Sequence, residues 1–198
     1  MLTEREKRYC SEIADRVSRM RAFLNENALV EPPEPTRWHS FLSTLRKIQG
    51  NLSNDGSFIA TLLAKQYLCS KFSVQFDAAE KPQGAPGIDI DVETSEGQRI
   101  VAEIKTTVPY QVSDFGAQQA ASFKKDFAKL AASEAKHKFL FVTDSGAFTA
   151  LQKDKYTKLM PGVRIVHLAT GRMSHNKALQ PTSALSLSCI VICLEDLT

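Results

Sequence analysis

The stretch from Ile88 to Thr107 constrains the fold more than any other. Ile88-Asp89-Ile90-Asp91-Val92-Glu93 alternates apolar and acidic residues strictly, Arg99 to Thr107 forms a second run, and Thr94-Ser95-Glu96-Gly97-Gln98 joins them. A period of two is the period of a strand, and a short glycine-bearing connection makes the two strands antiparallel. If the turn is centred near Glu96 or Gly97, partner numbers across the pair sum to about 192 to 194, which sets Asp89 opposite Glu103 or Lys105. Glu103 and Lys105, two apart, leave one face of the strand, while Ala102, Ile104 and Thr106 leave the other.

Two carboxylates and an ammonium therefore converge on one side of a sheet. Neighbouring carboxylates repel and are hard to keep ionised in a partly buried place unless a cation lies between them, and a hard divalent ion such as Mg²⁺ suits oxygen ligands. Such an ion would bind a backbone phosphate and activate a water that Lys105 would orient, so the chemistry expected is phosphodiester hydrolysis. Asp91 lies on the same strand face and competes for the place of Asp89. The rival reading leaves Glu103 and Lys105 as a cross-strand surface pair.

Around the hairpin, periodicity lays out an α/β order. Tyr9, Ile13, Val17, Met20 and Leu24 recur at helical spacing from Thr3 to about Asn27, opposite a strongly charged face. Glu31-Pro32-Pro33-Glu34-Pro35 breaks the chain, and a second helix is expected over Arg37 to Gln49. The turn formers Gly50 to Gly56 read as a loop, followed by a third helix capped by Ser57 and a short strand from Phe72 to Phe76. Beyond the hairpin come a long helix from Asp114 to about Ala135, a buried strand from Lys138 to Thr143, a helix from Ala147 to Leu159 and a strand from Val163 to Leu168. The polar tail from Thr170 is less legible until Cys189 to Leu194, which reads as an edge strand.

Pro86-Gly87-Ile88-Asp89, followed fourteen residues on by Glu103-Ile104-Lys105, resembles the motif of the PD-(D/E)xK nuclease superfamily, the restriction endonuclease-like fold. The order from about Ser57 to Thr143 resembles that family's core of a helix, a three-stranded antiparallel meander, a helix and a further strand. The resemblance implies an α/β fold with a mixed central sheet flanked by helices and an N-terminal helical extension. It divides the chain into a helical region (1–56), a nuclease core (57–169) and a tail (170–198). It makes Asp89 and Glu103 metal ligands, the Ile104 carbonyl a further ligand and Lys105 the catalytic lysine, with Gln118 or Gln119 where many members carry a helix glutamine. The glutamate that often precedes the meander has no counterpart, leaving Gln66 or nothing. The implied activity is that of a Mg²⁺-dependent DNA endonuclease of the type II restriction kind. A structure-selective or repair nuclease and a catalytically silent nucleic-acid-binding module are the alternatives.

Composition narrows the field. At 198 residues with 43% hydrophobic side chains, a core forms without disulfide or metal staples, so Cys10, Cys69, Cys189 and Cys193 are not a framework. There is no pair of CxxC knuckles, no His-Glu-x-x-His, no Gly-x-Ser-x-Gly and no Walker loop. The charged N-terminus is no secretory signal and no stretch is long enough to span a membrane, so a cytoplasmic protein with reduced thiols is expected. The net charge of +3 conceals a lysine excess at positions 124, 125, 129, 136, 138, 153, 155 and 158, set against Asp126, Glu134, Asp144 and Asp154. Trp38 alone makes no stacking platform, so the partner expected is double-stranded DNA. A homodimer is expected to cut it, with the first helix at its interface.

Overall fold

A computed structural model describes residues 1–27, 34–111 and 114–175. The hairpin forms as its alternation predicts. β1 (Ile90–Glu93) pairs antiparallel with β2 (Arg99–Lys105), and partner numbers sum to 192, as in Ile90 opposite Ala102. Gly97, at φ 74°, supplies the left-handed residue of the turn, and the Thr94 N–H donates to the Gln98 carbonyl at 2.9 Å to close it.

The sheet is mixed and has the order β1-β2-β3-β4-β5. β3 (His137–Val142) lies parallel to β2, β4 (Val163–His167) parallel to β3, and β5 (Arg172–His175) antiparallel to β4. The parallel strands need helical crossovers, which α4 (Ala117–Ala132), α5 (Ser145–Leu151) and the short α6 (Asp154–Thr157) provide. The helix expected from Ala147 to Leu159 is two helices. The edge strand expected at Cys189 to Leu194 lies outside the described residues.

Helices cover both faces. Ile100, Ala102, Phe139 and Phe141 pack against Ala64 and Leu68 of α3 (Leu52–Phe72). Val101, Leu140 and Val142 face the other way, into Phe123, Phe127 and Leu130 of α4 and Phe148 of α5. The even and odd residues of β2 thus belong to two different cores, and Glu103 and Lys105 are on the α4 side.

Three expectations need correction. α3 begins at Leu52, because the Asn51 side chain caps it by accepting from the Asn54 N–H at 3.2 Å, so residues 52–56 of the stretch read as a loop are helical and Ser57 is not the cap. It runs unbroken through residues 56 and 57. No strand forms at 72–76: the helix continues to Phe72 and Ser73 turns into the left-handed region at φ 54°. Only two strands of the expected three-stranded antiparallel meander are present among the described residues.

α1 (Glu4–Glu26) and α2 (Pro35–Gln49) form the N-terminal extension. Thr3 and Glu6 make a reciprocal cap at the start of α1, and Pro35 takes the first position of α2, where a missing N–H costs nothing. Glu6, expected on the solvated face, is fully buried. Both of its oxygens lie 2.8 Å from Lys65 Nζ on α3, and the Ala78 N–H donates to it at 2.6 Å. Burial would raise its carboxyl, but the Lys65 ammonium and the Ala78 and Thr3 N–H groups hold it below the ordinary range. Arg16 adds an ion pair to Asp55 at 2.6 Å, so α1 is fastened to α3 by charge. α2 buries no residue; Phe41 meets Phe23 of α1, and Trp38 is half-buried with its ring edge toward Phe41.

Candidate active site

Glu103 is carried inward by the odd face of β2 and is 2% exposed. The segment 86–89 runs into β1 alongside it. There the Ile104 N–H donates to Asp89 Oδ2 at 2.8 Å, so the exposed Asp89 carboxylate is oriented by the backbone of the strand that carries Glu103 and Lys105. These three predicted residues, with the Ile104 they flank, line one cleft of about 690 Å³. The cleft opens between the hairpin, the 77–85 loop and Ser57 and Thr61 of α3.

α4 contributes two residues that the sequence offers only as members of the lysine excess and of the acids set against it. Asp126, 5% exposed, and Lys129 project from the helix face that meets β2, and both line the cleft. Lys129 Nζ is 3.1 Å from Glu103 Oε1, 3.1 Å from Asp126 Oδ1 and 3.0 Å from the Gly87 carbonyl. Lys105 Nζ is 2.5 Å from Asp126 Oδ2, donates to Ser122 Oγ at 3.2 Å and lies 5.7 Å from the Phe123 ring centre. The contact to Asp126 Oδ2 is ionic and lacks the geometry of a directed hydrogen bond. Position 126 carried a readable signal: it falls among Phe123, Phe127 and Leu130 on the apolar stripe of α4, where an acid is costly unless partnered.

The electrostatics of the cluster follow from counting charges. Asp89, Glu103 and Asp126 supply three carboxylates against the two ammonium groups of Lys105 and Lys129. Burial, reinforced by the negative charges of Asp89 and Asp126 and only partly offset by Lys129, pushes the Glu103 carboxyl up to about 8. Glu103 thus takes up a proton far more readily than a free glutamate, and a cation placed beside it would hold it ionised instead. Lys129 responds in the opposite sense: burial disfavours its charge, but Asp126 and Glu103 outweigh that and hold its ammonium above the usual lysine range.

The donor set is hard oxygen, of the kind that Mg²⁺ prefers, and its uncompensated acid fits a cation. Among the described residues no three His, Cys, Asp or Glu side chains are grouped as a ready ligand set, and Lys129 contacts both Glu103 and Asp126.

The auxiliary residues lie further out. Asp91 is on the cleft rim but is gripped by Arg99, whose Nε and Nη2 approach at 2.8 and 2.6 Å and hold its carboxyl low. Gln118 and Gln119 line a separate hollow of about 300 Å³ with Thr107, Tyr110 and Ser122. The Gln119 amide oxygen accepts from the Tyr110 and Gly116 N–H groups, and its nitrogen donates to the Val108 carbonyl at 2.8 Å, tying Val108 and Tyr110 to α4. Gln66 is exposed on α3 and does not line the cleft. Of the lysine excess, Lys155 pairs with Asp114, while Lys124 and Lys125 stand exposed on α4.

No protein-family model, curated protein or solved structure matches the chain. What stands is an α/β protein with a five-stranded mixed sheet between helices. Among the described residues no helix is long and apolar enough to cross a membrane.

Proposed function

We propose that this protein is a Mg²⁺-dependent DNA endonuclease with a restriction endonuclease-like PD-(D/E)xK core, acting as a type II restriction enzyme. One observation carries the reading: Asp89, in the segment leading into β1, and Glu103 and Lys105, on β2, line one cleft, and the buried Glu103 lacks a full complement of positive charge.

Asp89, Glu103 and the Ile104 carbonyl would hold the ion. Mg²⁺, when bound, supplies Lewis-acid stabilisation of charge on the phosphoryl oxygens and a more acidic water. Lys105, at the end of β2, would orient the attacking water and stabilise charge developing on the phosphate. Ser122 and Asp126 fix its ammonium, which limits the reorganisation needed on the way to the transition state. Lys124 and Lys125, exposed on the helix that carries Asp126, suit a double-stranded DNA backbone.

A homodimer with one cleft per strand fits double-strand cutting, with α1 at the interface, where Val17 and Leu24 are 53% and 47% exposed. The thiols of Cys10 and Cys69 are free, which agrees with a cytoplasmic location.

A second reading has its own support. The network of Lys105, Asp126, Lys129 and Glu103 pairs each ammonium with an acidic side chain of the protein itself, which suits a catalytically silent DNA-binding module. Digestion of plasmid and of branched DNA with Mg²⁺, alongside Asp89→Ala and Lys105→Ala, separates the readings. Discrete bands support restriction and cutting at branches supports a repair nuclease. DNA retention without metal-dependent cleavage supports the silent module.

A further inference from the structure

The ammonium of Lys129 is surrounded by oxygens alone. Its Nζ touches two carboxylate oxygens from different elements, Glu103 Oε1 on β2 and Asp126 Oδ1 on α4, and one main-chain carbonyl, that of Gly87. Glu103 is 2% exposed and the Asp126 side chain 7%, so the oxygens are held by packing, whereas the Lys129 side chain is 39% exposed and has a way out. An ammonium and a divalent ion cannot share three oxygens at such distances: the like charges would meet within a few ångströms at low dielectric.

We infer that Lys129 is an internal placeholder for a divalent cation, holding Glu103, Asp126 and the Gly87 carbonyl in a cation seat and swinging out when the ion enters. Asp126 thereby becomes a ligand of the seat, although it lies outside the Asp89, Glu103, Lys105 triplet. The inference rests on the metal-dependent reading above and deepens it: the seat shares Glu103 with the Asp89, Glu103 and Ile104 ligand set, and entry of an ion beside Glu103 becomes a competition with a tethered lysine. The Lys129 ammonium sets one positive charge between two of the cleft's three acidic side chains.

The test is Mn²⁺ binding by titration calorimetry and electron paramagnetic resonance, on wild type, Lys129→Gln, Lys129→Arg and Lys129→Gln/Asp126→Asn, with Glu103→Gln locating the signal. Lys129→Gln is expected to bind Mn²⁺ about tenfold tighter than wild type or more, Lys129→Arg no tighter than wild type, and the double variant to lose the gain. Equal or weaker binding by Lys129→Gln overturns the inference.

A second readout uses the unmodified protein and does not depend on a variant folding. Acetylation of Lys129, measured by mass spectrometry against the exposed Lys124 and Lys125, is expected to rise several-fold on adding Mg²⁺, and unchanged labelling overturns the inference. Plasmid cleavage by wild type, run in parallel, keeps the two ideas apart. Cleavage with unchanged Lys129 behaviour defeats the placeholder alone, whereas tighter binding by Lys129→Gln without cleavage defeats the nuclease reading alone.

Discussion

Asp89 Oδ2 accepts the Ile104 N–H at 2.8 Å, so one oxygen of the predicted ligand is oriented by the strand that presents Glu103 and Lys105. An amide at position 89 retains an oxygen for that hydrogen bond and loses the charge. Asp89→Asn is expected to keep its stability within about 1 kcal/mol of wild type while Mg²⁺-dependent cleavage falls by about two orders of magnitude or more. Urea unfolding and plasmid nicking on the same preparation check both halves.

Glu103 gives the fold a pH dependence of definite sign. Its carboxyl titrates near 8 in the folded chain against 4.5 for the free group, so between those values the folded chain keeps a proton that the unfolded chain has released. Stability is therefore expected to decline as pH rises from 4.5 through 8, by an amount on the order of a few kcal/mol. Glu103→Gln removes this titration and flattens the decline. Denaturant midpoints at pH 5, 7 and 9 for both proteins measure it.

Mg²⁺ binding draws on the same proton. An ion seated beside Glu103 requires the carboxylate, so binding at pH 7 is expected to release close to one proton, and affinity to rise as pH approaches 8. Calorimetry in buffers of different ionisation enthalpy counts the proton directly.

Away from the cleft, Glu6 and Lys65 form a buried pair linking α1 to α3. Removing one partner strands the other, so Glu6→Ala is expected to cost about 3–5 kcal/mol, whereas Glu6→Leu/Lys65→Met is expected to recover part of the loss, the Ala78 N–H remaining unpartnered. Urea unfolding of the two proteins tests the coupling, with cleavage by the double variant as a check that the cleft is intact.

The parts of the fold that alternate or repeat locally were legible, and the hairpin came out in register because period two and a glycine turn leave little freedom. The strand expected over 72–76 failed for an instructive reason. Val74 is buried and Phe72 and Phe76 are partly so, hence the alternation, but the segment packs on the sheet instead of pairing with it. Composition misled at Gly50 to Gly56, where Asn51 is an effective cap and Gly56 is tolerated inside the helix.

The site was readable where it lies on one hairpin and unreadable where it is tertiary. Asp89, Glu103 and Lys105 are close in sequence as well as in space. Lys129 reaches Glu103 across 26 residues and Lys65 reaches Glu6 across 59, and a charge's partner at such separations is set by how helices dock on the sheet. Asp126 had a local signal, an acid within an apolar stripe; Lys129 had none.

The central claim is that the cleft hydrolyses DNA by way of Glu103 and Lys105. The most direct measurement is cleavage of supercoiled plasmid by purified wild type, Glu103→Gln and Lys105→Ala over a Mg²⁺ titration, with EDTA as the blank. The account predicts Mg²⁺-dependent strand breaks by wild type, reduced about 10²–10⁴-fold in each variant while both remain folded by circular dichroism. Wild-type cleavage that persists at full rate in either folded variant, or no cleavage by wild type at any Mg²⁺ concentration, would contradict it.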